Sequence, residues 1–131
     1  MLKLESKIGI VNRNVSEIYT LLSNFENLRN YIPREGIENI EIENDKCIFS
    51  VQGQKIEICI LNKEENNFIK FGSSKNSPFE FYFWIQVKPI NENSSKIKLT
   101  LHIDIPLLLQ PFVKGKLEKA LDEIVDKLSG I

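Results

Sequence analysis

One segment constrains the fold more than any other: Phe79-Glu80-Phe81-Tyr82-Phe83-Trp84-Ile85-Gln86-Val87. Every odd position is aromatic or branched and apolar, which is the two-residue period of a strand with one buried face. Near the end of the chain the period changes. Leu117, Leu121, Ile124 and Leu128 recur at the spacing of one helical face. Between the N-terminus and these two segments lie a capped helix and a run of alternating strands. A sheet of this kind must bury its apolar face against something, and the amphipathic closing helix is the one element offered for it.

The rest of the chain fills in that outline. Leu2 to Ile10 alternates from the start, with Leu2, Leu4, Ile8 and Ile10 expected on one face. Asn14 is placed as a helix N-cap, with Glu17 three residues later as in a capping box. Val15, Ile18, Leu21, Leu22 and Phe25 form the stripe of that helix, and a second short helix is expected from Phe25 to Tyr31. It must stop near Ile32, because Pro33 disfavours a helical conformation before it. Strands are then expected around Ile40 and Ile42, from Lys46 to Gln52, from Lys55 to Leu61 and from Phe68 to Ser73. Gly53-Gln54 reads as a type II′ hairpin, setting Phe49 opposite Ile58 and Val51 opposite Ile56. Pro89 to Ser95 reads as a polar loop, and Lys96 to Ile105 as the last strand. Pro106 suits a first helical turn. Pro111 either starts a second helical piece or kinks a continuous one. The sequence thus predicts one α+β domain over residues 1–131, with about seven strands and three helices.

Composition excludes several classes of function. A chain of 131 residues, 42% hydrophobic and 27% charged, supports a core without disulfides or metal. The formal charge of −1 gives no basic field for nucleic acid, and Arg13, Arg29 and Arg34 are the only guanidinium groups. Arg29 and Arg34 bracket the second helix, where they read as exposed loop residues rather than an anion site. No apolar run approaches the ~20 residues of a membrane span. The alternating N-terminus does not resemble a signal peptide, so a cytoplasmic location is expected. In that setting the sequons at Asn14 and Asn93 carry no meaning.

The chemistry-bearing residues are sparse. Cys47 and Cys59 are expected on opposite faces of adjacent strands, unpaired, and with one histidine they make no zinc site. His102 lies on the polar face of its strand with Thr100 and Asp104, and no nucleophile motif exists for it to serve. The carboxylates are spaced as a solvated surface; Glu57 would be an exception only if its face lined a pocket. None of the six glycines forms a phosphate loop. Tyr82 and Trp84 share the outer face of the aromatic strand. They read either as a contact surface for a second copy of the chain, a homodimer, or as rings lying flat beneath their neighbours.

The order strand, two helices, strands, long helix resembles the START/Bet v 1-like superfamily, also called SRPBCC or polyketide cyclase-like. The resemblance is carried by Glu5-Ser6-Lys7, by Val15 to Phe25, by Leu28 through Pro33, by Ser77-Pro78-Phe79 with the alternating aromatics, and by Leu121 to Leu128. It points to a small bacterial branch and covers nearly the whole chain. It implies a helix-grip fold: a seven-stranded antiparallel sheet curved around the C-terminal helix, with two short helices after the first strand. It also implies a space between sheet and helix for lipids, sterols, polyketides or hormones, and some members are cyclases or hydrolases.

The expected function is therefore binding of a small hydrophobic, lipid- or polyketide-like ligand without catalysis. Its expected contacts are Phe49, Phe81, Phe83 and Leu101 on the sheet and Val113, Leu117, Leu121 and Ile124 on the helix. The inner face is almost wholly apolar, so no catalytic residue, cofactor or metal is expected. Tyr19, Tyr31 and His102 are the candidates for an enzyme reading, and the Tyr82/Trp84 face for an interaction module without a ligand.

Overall fold

The computed structural model describes residues 1–31, 36–43, 45–75 and 77–131. Among these, the strands are β1 (Leu2–Glu5), β2 (Gly9–Val11), β3 (Ile37–Glu43), β4 (Lys46–Val51), β5 (Gln54–Glu64), β6 (Phe68–Ser73), β7 (Phe81–Asn91) and β8 (Ser94–Ile103). The helices are α1 (Val15–Leu22), α2 (Phe25–Leu28), continued by a 3-10 turn at Arg29–Tyr31, and α3 (Gln110–Ser129). All strand pairs are antiparallel, in the order β1-β8-β7-β6-β5-β4-β3, with β2 also on β8. The helix-grip arrangement is the expected one. The sheet has eight strands rather than seven because the first strand is broken.

The break has a local cause in Ser6. Its N–H donates to the Leu99 carbonyl (2.9 Å), but the Leu99 N–H turns to the Ser6 hydroxyl oxygen (2.8 Å). A side chain has replaced a backbone carbonyl in the ladder. The register accordingly slips by one residue, from Leu4 opposite Leu101 to Gly9 opposite Ile97. A one-residue slip reverses the faces. Ile8 and Ile10, expected inside, are therefore exposed, and Val11 and Gly9 point inward. The bulge also turns Lys7 toward α3, where its N–H donates to Asp122 (2.8 Å) and its ammonium pairs with Asp126 (2.6 Å). Beneath it the β2 backbone lies against α3 side chains: a Cβ on Gly9 would stand 2.5 Å from Val125 Cγ1.

The helices begin where side-chain caps allow. Asn14 Oδ1 accepts from the Ser16 N–H, and Asn24 Oδ1 from the Glu26 N–H, both at 2.8 Å. Glu17, placed in a capping box by its spacing, instead pairs with Arg13. The expected end of the second helix at Ile32 lies outside the described residues.

Two turns differ from expectation. The β4–β5 hairpin turns at Gln52-Gly53, both at positive φ (50° and 79°), the backbone of a type I′ turn. Phe49 therefore faces Ile56 and Val51 faces Gln54, a shift of two residues that preserves the faces. The segment from Pro89 is not a loop, because β7 runs on to Asn91 and β8 starts at Ser94 with a bulge beside Pro89. The missing proline N–H falls at that irregularity.

Helix α3 packs on β1, β2, β8 and the 3-10 turn. Leu121, Val125 and Leu128 are its buried residues, and they meet Leu4, Val11, Ile97 and Leu99 in the main core. Pro111 lies in its first turn, so the helix starts there rather than kinking. Over β4 to β7 the curved sheet stands off from α3, and that separation defines the site.

Candidate functional site

The space between α3 and the concave sheet is a cavity of about 320 Å³. Seven expected contacts stand in its wall: Phe49, Phe81, Phe83 and Leu101 from the sheet, and Leu117, Leu121 and Ile124 from the helix. Val113 does not. It sits in the first turn of α3 beside exposed Phe112 and is half-buried outside the wall. The strand period explains the sheet contacts, since Phe81 and Phe83 on β7 stand opposite Ile103 and Leu101 on β8, all on the concave face.

The aromatic rings form a continuous floor. Phe25 lies 5.4 Å from Phe71, and Phe71 5.8 Å from Phe83, between ring centres in tilted geometry. Phe79 and Phe81 extend the surface at the end where Ile56 and Ile103 form a second small core with Leu117 against them. Phe25, Leu28 and Tyr31 line the cavity as well. The resemblance implies two short helices at one end of the grip, but not which of their residues face the cavity. A signal is present in Phe25 and Leu28, spaced three apart on a short helix, but the spacing does not say which cavity they face.

The lining offers little chemistry. Its polar side-chain groups are the Tyr31 hydroxyl and the Cys47 thiol. Cys47 had been read as an ordinary strand residue. Burial pushes its thiol pKa up, opposed by the nearby Arg29 guanidinium, so the sulfur stays protonated and is a weak nucleophile. Arg29 itself pairs with Glu26 at 3.1 Å; Arg34 lies outside the described residues. Cys59 faces the other side of the sheet, and both cysteines are free. Tyr19 packs against the main core and is not in the cavity wall.

His102 is on the convex face, stacked edge-on against Trp84 at 4.7 Å. Burial first, then Lys3, Lys70 and the terminal ammonium, hold its pKa below the usual value. The paired residues opposite it are Lys3 and Tyr82, so nothing arms it as a base toward the cavity. On the same face, Lys70 lies over both Tyr82 (4.8 Å) and Trp84 (5.3 Å). The two rings thus lie beneath a neighbouring cation rather than forming a bare patch.

Glu57 is the buried carboxylate, and it too lies away from the cavity. It pairs with Lys46 at 3.0 Å. The Ser77 hydroxyl ties down the Glu57 backbone, accepting from its N–H (3.3 Å) and donating to its main-chain carbonyl (3.0 Å). Among the described residues, no three of His, Cys, Asp and Glu converge as a metal site would require, and no helix is long and apolar enough to cross a membrane.

Solved structures place this architecture. The protein XoxI from Bacillus cereus is similar over 99% of this chain and 94% of that one, at 13% identity and a TM-score of 0.77. Norcoclaurine synthase from Thalictrum flavum is similar over 98% of this chain and 84% of that one, at 14% identity and 0.75. A START superfamily protein from Mycobacterium smegmatis is similar over 96% and 98%, at 18% identity and 0.65. No family model matches the chain, and no curated protein matches it in sequence. At these identities the likeness shows the fold alone: the helix grip shared with these structures.

Proposed function

We propose that residues 1–131 act as one domain that binds a single small hydrophobic molecule, lipid- or polyketide-like, between sheet and α3 without transforming it. The observation that carries this reading is the cavity itself: about 320 Å³, walled almost entirely by hydrocarbon side chains. Apolar cavities of about 150 Å³ stay dry and take up benzene. A cavity of twice that size suits a chain or fused ring of roughly twice the carbon count. Phe49, Phe81, Phe83, Leu101, Leu117, Leu121 and Ile124 would be the ligand contacts.

Magnitudes agree with a binder of moderate affinity. Transfer of about ten methylenes at about 0.8 kcal/mol each offers roughly 8 kcal/mol. Association costs take back about 4 kcal/mol or more. What remains corresponds to millimolar affinity, improving toward micromolar as the ligand becomes larger or more rigid. A catalytic reading has less support: a protonated buried thiol and one phenol are no acid–base pair, and His102 faces away. Among the described residues, cyclase or hydrolase chemistry would have to come from Tyr31 and Cys47. A homodimer through Tyr82 and Trp84 is disfavoured by Lys70, which would have to be displaced from both rings. The two free thiols suit a reducing, cytoplasmic setting.

The test is native mass spectrometry of freshly purified protein, followed by organic extraction and identification of what is released. A reproducible adduct of a few hundred daltons is expected. Bare protein throughout, even after incubation with lipid extract, would contradict the proposal.

A further inference from the structure

The connection from β8 into α3 carries a surface the cavity does not explain. Leu107 is 81% exposed, Leu108 86%, Leu109 51% and Phe112 75%. These four large apolar side chains occur within six consecutive positions, so they form one patch and not scattered surface residues. The segment holds them outward through its own backbone. The Leu109 N–H donates to the Pro106 carbonyl (2.9 Å) and the Phe112 N–H to the Leu109 carbonyl (3.1 Å). Gln110 ties the tip to the body by donating from Nε2 to the Ile105 carbonyl (3.1 Å).

The charges around the patch select what can cover it. From Ile105 to Leu117 there is no acidic residue, while Lys114 and Lys116 follow Phe112 within four positions; Asp104 and Glu118 flank the stretch, and Lys114 reaches Glu118 only at 4.0 Å across the exposed surface. Both lysines are exposed. Prongs of leucine and phenylalanine with exposed ammonium groups behind them match an anionic bilayer surface, where apolar side chains enter the acyl boundary and lysines meet phosphates. A second copy of this chain matches less well, because pairing the patch with itself about a two-fold axis would bring Lys114 and Lys116 toward their own copies. The patch also adjoins the cavity: Leu117 lies five residues, about 7.5 Å of helix, beyond Phe112 and lines its wall.

We propose that the tip Pro106–Phe112 inserts into the interface of an anionic lipid bilayer, with Lys114 and Lys116 on the headgroups. This is peripheral docking by one edge of the molecule and does not rest on the cavity being occupied.

The experiment is co-sedimentation of the full chain with vesicles of phosphatidylcholine, with and without phosphatidylglycerol. Binding to the phosphatidylglycerol vesicles, weakened by salt, is expected. The triple variant Leu107→Ser/Leu108→Ser/Phe112→Ser should lose binding by about tenfold or more, while its circular dichroism stays that of the parent. Lys114→Glu/Lys116→Glu, which leaves the apolar tip intact, should lose about fivefold for each lysine removed. Failure of the parent to pellet with either vesicle would overturn the proposal. So would vesicle binding that neither variant changes, or a patch whose only measurable role, by sedimentation, is to hold two copies together.

Discussion

Ser6 shows how one side chain redirects a strand. Alternation alone put Ile8 and Ile10 inside. It could not register that a hydroxyl would take the place of a carbonyl opposite Leu99. Nothing in a period-two pattern distinguishes a continuous strand from one that slips by a residue, yet the slip brings Gly9 under α3. Gly9→Ala would bring a methyl group to 2.5 Å from Val125 Cγ1 and 2.6 Å from Ser129 Oγ. Urea denaturation should show a loss of about 1–3 kcal/mol, the usual cost of overpacking; an unchanged midpoint would mean that α3 moves freely away. His102 makes a second prediction. Its folded pKa lies below the ordinary value of about 6.5, so between those two values the unfolded chain binds more protons than the folded one. Stability must then rise with pH through that window and fall as pH drops below about 6.5. His102→Gln should flatten this part of the stability–pH curve; an equal slope in the variant would place its cause elsewhere.

The pieces of secondary structure were the most legible part of the sequence. The aromatic strand, the last strand, the capped helix and the closing helix all read correctly from hydrophobic period, because each buries one face strongly. The errors fell at connections, where two turn chemistries fit the same residues. Gln52-Gly53 and Gly53-Gln54 both contain the required glycine, and only the register Phe49–Ile56 separates them. Pro89 stays within the sheet because a bulge accommodates its missing donor. Gly115 is a helical interior residue without such a reason. A Cβ there would meet nothing within 4 Å. Gly115→Ala should therefore stabilise the fold by about 0.5–1 kcal/mol through helix propensity, read as a higher thermal midpoint. A lower midpoint would show that α3 needs a flexible point near its exposed tip.

At the level of the assembled fold, the hydrophobic pattern points to a sheet gripping a helix, while the void between them enters only through the resemblance. Phe81, Phe83 and Leu117 have the same pattern whether they interlock or line a cavity. That distinction arises because α3 packs on β1, β2 and β8 and stands off from β4 to β7, a consequence of sheet curvature that no local period records. For the same reason the two short helices are expected at one end, but Phe25, Leu28 and Tyr31 are not singled out as the residues that face the cavity. The proposed function rests on this void, so it should disappear when the void is filled while the fold remains. The most direct measurement is a calorimetric titration with myristate, long enough by the same arithmetic for about micromolar affinity, of the parent protein and of Leu117→Trp, whose larger ring would occupy the cavity. The parent should bind one equivalent with a negative heat-capacity change, the signature of apolar burial, and the folded variant should bind none. Saturable binding of the same strength in both proteins would place the ligand outside the cavity and contradict the account.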